Sequence, residues 1–280
     1  MSWFKRSVTV LLATFLICCS CMSAGRVLKV LAIGNSFSED AVEQNLYELA
    51  AKQGDSLVIG NAYIGGCSID HHWENAQTGR EEYSYRKITG GQLITRNHVS
   101  LKEIIQDDKW DVITLQQASH FSGIPDTYNN LGKLMNYVKC TALNKHFRFA
   151  FHQTWAYAET SKHDAFKWYG NDQKKMYHDI CKTVREVTSH FGIHKIIPSG
   201  IAIQNARTLV GDTLNRDGYH LSYLMGRYTA ACTWCEFLTG KNVMKNSYRP
   251  QALNLAAAEI ARKSAHLAIK NVKKELRKAR

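Results

Sequence analysis

The sequence predicts an α/β domain built on one parallel sheet with helices on both faces, and three observations lead there. Short apolar runs alternate with helical patterns along the chain after its first 24 residues. No internal repeat is visible, and no Gly/Ser/Pro-rich linker interrupts a chain that has only three prolines. At 280 residues and 45% hydrophobic content the chain can bury one sizeable core. Apolar strands alternating with helices are the pattern of a parallel sheet buried on both sides, so one domain over residues 25–280 is expected.

Each element has its own signal. Val27–Ile33 is a strand, and "EDAVEQNLYELAAKQG" reads as the helix after it, acidic at its start and stopped by Gly54. "SLVIGNAYIGG" is a second strand running into a glycine pair, and "WDVITLQQAS" a third, with a helix following near residues 128–142. "HFRFAFHQTW" is the fourth strand, ahead of a long helix over about 172–191, and "HKIIPSG" a short fifth. Helices over about 222–239 and 251–278 complete the chain. In such sheets ligands bind beyond the carboxyl ends of the strands, so the residues there are the ones to inspect.

The first 24 residues are set apart. Lys5 and Arg6 precede an apolar run from Val8 to Ile17 and then small residues, the pattern of a secretory signal peptide cut near Ser23 or Ala24. The run is short for a membrane span. An exported protein is therefore expected. A lipoprotein is the alternative, since Cys18, Cys19 and Cys21 sit where a membrane lipid anchor would attach, although neither "LICC" nor "CCSC" is a good lipidation box. Five cysteines remain: Cys67, Cys140, Cys181, Cys232 and Cys235. An odd number argues against a complete disulfide framework. "CTWC" spells a redox motif, but it lies inside a helix that is apolar around much of its surface, where two small buried residues are the simpler account.

The net charge of +12 is concentrated in the terminal helix, "ARKSAHLAIKNVKKELRKAR". Leu253, Ala257, Ile260, Leu267, Val272 and Leu276 share one loose face there, so the basic residues read as a solvated face. No zinc-finger spacing or RNA-binding signature accompanies the charge, and no nucleic-acid partner is expected. Twelve histidines show neither HExxH nor HxH with a carboxylate, so no metal is expected either.

Two strand-end segments carry chemistry. Ser36, in "IGNSFS", follows the first strand, where a hydroxyl and a backbone N–H can face one point. A helix-capping role is equally available to a serine there, and Ser38 before "EDAV" fits that role better. Far downstream, "RDGYHLS" places Asp217 and His220 three apart in a loop. A serine hydroxyl attacks only when a base takes its proton, and the base works best when a carboxylate fixes its tautomer. Asp217 and His220 supply both if their loop reaches the first strand's end.

"IGNSFS" resembles the first block of the SGNH (GDSL-type) hydrolases, with Asn35 where the commoner form has Asp, and "DGYHLS" resembles their last block. "YIGGCSI" resembles the second block. The resemblance runs from about Val27 to Thr239 and implies a three-layer α/β/α, flavodoxin-like fold with a mostly parallel five-stranded sheet. It implies a serine esterase without cofactor, with Ser36 as nucleophile, His220 as base and Asp217 orienting it. The backbone N–H groups of Ser36 and Gly66 (or Gly65) would form the oxyanion hole. The third block departs from the family: "LQQASH" stands where many members have G-x-N-D, and Gln116, or its neighbour Gln117, would donate in place of the Asn. Carbohydrate O-acetylesterases with Gln in that block are the nearest comparison, which makes an acylated carbohydrate the expected substrate. His72 and Trp155, just past the second and fourth strands, are the expected substrate contacts. A lipase or esterase for small acyl or lipid esters is an alternative, as is a catalytically silent glycan-binding protein.

Overall fold

The computed structural model of the chain describes residues 27–278; the predicted leader and the candidate acylation cysteines lie outside the described residues. In chain order the elements are β1 (Val27–Gly34), α1 (Ser36–Val42), α2 (Leu46–Lys52), β2 (Ser56–Tyr63), α3 (Ile69–Thr78), β3 (Tyr83–Thr89), β4 (Gln92–Val99), α4 (Leu101–Gln106) and β5 (Val112–Leu115). They continue with α5 (Leu131–Thr141), β6 (Arg148–His152), α6 (Gln173–His190), β7 (Ile196–Ile197), α7 (Ser199–Val210), α8 (Met225–Thr239) and α9 (Leu255–Lys278).

The sheet has seven strands in the order β4-β3-β2-β1-β5-β6-β7. All five predicted strands are present and pair in parallel. The expected count of five is corrected by β3 and β4, an antiparallel hairpin added to the edge beside β2 and turning on Gly90–Gly91. Its sequence, "YSYRKITGGQLITRN", does carry a two-residue hairpin turn, but β4 is exposed along nearly its whole length and so has no apolar run to announce it. The predicted first helix is also corrected. It is two helices, because Asn45 takes φ +66° between α1 and α2.

β1 pairs with β2 on one side and β5 on the other, so the chain reverses direction across the sheet at β1. Right-handed crossovers then put α1 and α2 on one face and the helices between β2 and β7 on the other. Helix α8 packs with α1 and α2 and is backed by α7 and α9, while α3, α4 and α5 pack with one another. That reversal opens a crevice beyond the carboxyl end of β1, where Ser36 stands. Beneath it α8 is buried from Gly226 to Glu236. Cys232 and Cys235 are free and buried within it, with burial raising the Cys235 thiol to about 12, which fits the packing account of "CTWC". Among the described residues no helix is long and apolar enough to cross a membrane.

Candidate active site

β1 delivers the chain into a tight turn. A Cβ on Gly34 would lie 2.6 Å from Ser38 Oγ and 2.9 Å from Gln116 Cδ, so only glycine fits there. Asn35 then caps α1, its Oδ1 accepting the Phe37 N–H at 3.0 Å. Ser38, the expected cap, is fully buried, its Oγ 2.7 Å from Asn35 O and 2.8 Å from Asn61 Oδ1. Capping therefore falls to Asn35 and the packing of the turn to Ser38. Ser36 is left half-buried at the first position of α1, its hydroxyl making no hydrogen bond to any described residue.

Asn35 is also the joint between the strand ends. Its Nδ2 donates to Cys67 O at 2.9 Å, fixing the glycine loop beside the turn. Gly66 in that loop is exposed at φ +64°, in a turn closed by Cys67 N–H to Ile64 O. Gln116 Nε2 donates to Asn35 Oδ1 at 2.8 Å, and Gln116 Oε1 lies 2.8 Å from His152 Nδ1. A carbonyl oxygen only accepts, so Nδ1 carries the His152 proton and Nε2 accepts from Ser199 Oγ at 3.0 Å. Burial lowers His152 to about 3 and keeps it neutral, as this directed chain requires.

The two glutamines, just past the end of β5, go to different partners. Gln116 faces the Ser36 turn from beneath, with one amide N–H on Asn35. Gln117 points away and ties other loops, accepting from Ile69 N and Ala118 N and donating to Thr127 O.

The downstream pair forms a closed unit. His220 Nδ1 lies 2.6 Å from Asp217 Oδ2, and Asp217 Oδ1 accepts the backbone N–H groups of Tyr219 and His220. Burial acts to raise the Asp217 carboxyl, but the His220 ring and these two N–H groups outweigh it and hold the group below the usual carboxylate range. The loop is bolted to α1 through Asp40, one turn after Ser36. Asp40 Oδ2 accepts Leu221 N–H at 2.7 Å, and Oδ1 meets Arg216 at 2.9 Å and Arg227 at 2.7 Å. The His220 ring is thereby brought to 6.0 Å, centroid to centroid, from Phe37, the residue after Ser36.

The two expected substrate contacts are both buried side chains. Trp155 is fully buried, stacked on Phe37 at 4.2 Å with its Nε1 donating to Tyr219 O, so it wedges the His220 loop in place. His72 is also buried, its Nδ1 2.9 Å from Tyr83 Oη, with burial lowering it to about 3. Both follow strand ends, and both turn into the core. The sequence reading missed Asn35 as the joint and Asp40 as the bolt. Asp40 reads there as one more acid in a helix's first turn, because its partners Arg216 and Arg227 lie far along the chain. Among the described residues no group of three His, Cys, Asp or Glu side chains is placed to hold a metal ion. A cavity of about 240 Å³ between Arg148, Phe149, Lys195 and Phe237 lies at the opposite end of the strands from Ser36.

Comparison with known proteins places this geometry in context. A search of curated proteins finds no match. The chain is similar to the crystal structure of a DUF4886 family protein from Bacteroides uniformis ATCC 8492, at 47% identity and TM-score 0.86, over 88% of this chain and 95% of that one. It is loosely similar to Axe2, an acetylxylan esterase from Geobacillus stearothermophilus, at 12% identity and TM-score 0.49, over 78% of this chain and 97% of that one. TesA stands at 9% identity and the same TM-score, over 76% and 98%. Likenesses as loose as these last two carry no activity across. The family model of DUF4886, a domain of unknown function, matches residues 29–268, and the chain belongs to that family.

Proposed function

We propose that the protein is a serine ester hydrolase of SGNH type, removing O-acetyl groups from a carbohydrate. One observation carries the reading: Asp217 and His220 are paired on a loop that Asp40 fastens to α1, beside a Ser36 whose hydroxyl is free because Asn35 does the capping. In this mechanism His220 Nε2 takes the Ser36 proton as Oγ attacks the ester carbonyl, while Asp217 holds the proton on Nδ1 and stabilises the imidazolium. The protonated His220 then hands its proton to the leaving sugar hydroxyl. A water activated by the same base frees acetate from the acyl-serine. The N–H groups of Ser36 and Gly66, with the second amide N–H of Gln116, are the proposed donors to the oxyanion, each worth ~100-fold or more in rate in sites of this kind.

The test is acetate release from p-nitrophenyl acetate and from acetylated polysaccharides, with the wild type compared with Ser36→Ala. Loss of at least ~1000-fold in kcat with an unchanged unfolding midpoint is expected. Unaltered release by Ser36→Ala would remove the serine from the mechanism.

A further inference from the structure

An aromatic array leads away from the proposed catalytic histidine. The His220 ring lies 4.2 Å from Tyr219, which lies 5.0 Å from His163, which stacks at 5.9 Å on His120. His120 meets Phe121 at 4.1 Å and the edge of Trp168 at 5.9 Å. Phe121 and Trp168 are stacked, 5.8 Å apart and within 11° of parallel. Three separate segments build this run, after β5, after β6 and in the Asp217 loop, all on the Ser36 end of the sheet.

Two features distinguish the array from ordinary packing under loops. It ends in the open, with Trp168 50% exposed, whereas Trp110, Trp155 and Trp234 are buried. It is also held rigid from below, because the buried Tyr169 donates its hydroxyl to His120 O and accepts the Gly123 N–H, locking residues 120–123 to the turn that carries Trp168. An exposed tryptophan face on a braced support is preorganised to receive a flat apolar surface at little cost in ordering. The neighbouring imidazoles supply hydrogen-bonding atoms. Burial and the nearby His163 both lower the His120 pKa, favouring a neutral ring that accepts as well as donates.

We propose that Trp168, Phe121 and His120 form a binding platform for the glycan chain that carries the ester, with Trp168 stacking on the C–H face of a sugar unit and the imidazoles meeting its hydroxyls. The proposal rests on the esterase reading and sharpens it. Four ring contacts lie between Trp168 and His220, so in this proposal the ligand is an oligosaccharide whose stacked unit is not the one that carries the acetyl group.

Two measurements on the full chain test the platform and keep its failure separate from that of the esterase reading. The first is retardation in native gels containing arabinoxylan, galactomannan or polygalacturonate, none acetylated, for the wild type, Trp168→Ala and Trp168→Phe. Retardation of the wild type by at least one polymer, lost in Trp168→Ala and partly kept in Trp168→Phe, is expected whether or not the protein cuts esters. The second compares kcat/KM on the same polymers after acetylation with kcat/KM on p-nitrophenyl acetate. In Trp168→Ala the ratio of polymer to small ester falls at least tenfold, through KM. Wild type that no polymer retards, retardation untouched by Trp168→Ala, or an unaltered ratio would each overturn the platform. Absence of ester cleavage in wild type beside Trp168-dependent retardation would overturn the esterase and leave the platform standing.

Discussion

Asp40→Asn is the substitution that most directly tests how the two halves of the site are joined. Asp40 is wholly buried on α1 and lies between Arg216 and Arg227, with Leu221 N–H on its other oxygen. Burial raises its carboxyl against the pull of Arg227 and Arg216, so desolvation of the carboxylate subtracts from the worth of the pair. The loss on substitution comes chiefly from the partner left behind. The Arg227 side chain, 5% exposed, keeps Glu39 at 3.3 Å and the face of Tyr223 at 5.0 Å, whereas Arg216 can turn to solvent. Removing one member of a buried pair costs ~3–5 kcal/mol, and the remaining Glu39 contact puts Asp40→Asn near the lower end. Asn retains an acceptor for Leu221 N–H; Asp40→Ala does not, adding about 1 kcal/mol. With a urea m-value of about 2–3 kcal/mol/M, the unfolding midpoint of Asp40→Asn falls by roughly 1–1.5 M. Because Leu221 directly follows His220, kcat/KM on p-nitrophenyl acetate falls at least tenfold where both proteins are still folded. A midpoint within ~0.2 M of wild type, or full activity in Asp40→Ala, would show that something else holds the Asp217–His220 loop.

Further consequences concern the core beneath the turn. His152 and His72 are buried, with burial lowering both to about 3, below the ordinary value near 6.5. The unfolded chain binds their protons first, so the stability they support is complete above about pH 6.5 and is lost as pH falls towards 3. At pH 5 each contributes a loss of up to ~2 kcal/mol, and urea unfolding of His152→Asn should show a visibly smaller drop between pH 7 and pH 5 than wild type. Identical pH slopes in the two proteins would mean that His152 is protonated in the fold. Asn35→Ala removes the cap on Phe37 N–H, the partner of Gln116 and the tie to Cys67 O together. A loss of ~2–3 kcal/mol is expected with a fall in kcat, and a change in KM alone would show that the turn does not shape the reacting centre.

The sequence by itself determined the parallel strands, their order as chain segments, and the Asp217–His220 pair. These are local signals: an apolar run between turn residues names a strand wherever it lies, and an Asp three residues before a His in a loop can reach its ring without help from elsewhere. The β3–β4 hairpin escaped because strand pairing at an exposed edge needs no apolar pattern. Tertiary structure alone decided what each polar side chain does. Ser36 and Ser38 sit two residues apart in the same turn, yet one hydroxyl is free and the other is locked between Asn35 and Asn61, a residue of β2. Gln116 and Gln117 are told apart by the segments their amides meet, and Trp155 and Trp168 by which of them the fold covers. Asp40 acquires its role from two arginines more than a hundred residues away in the chain. Burial and hydrogen-bond partners depend on which distant segments meet, and no short stretch of sequence contains that information.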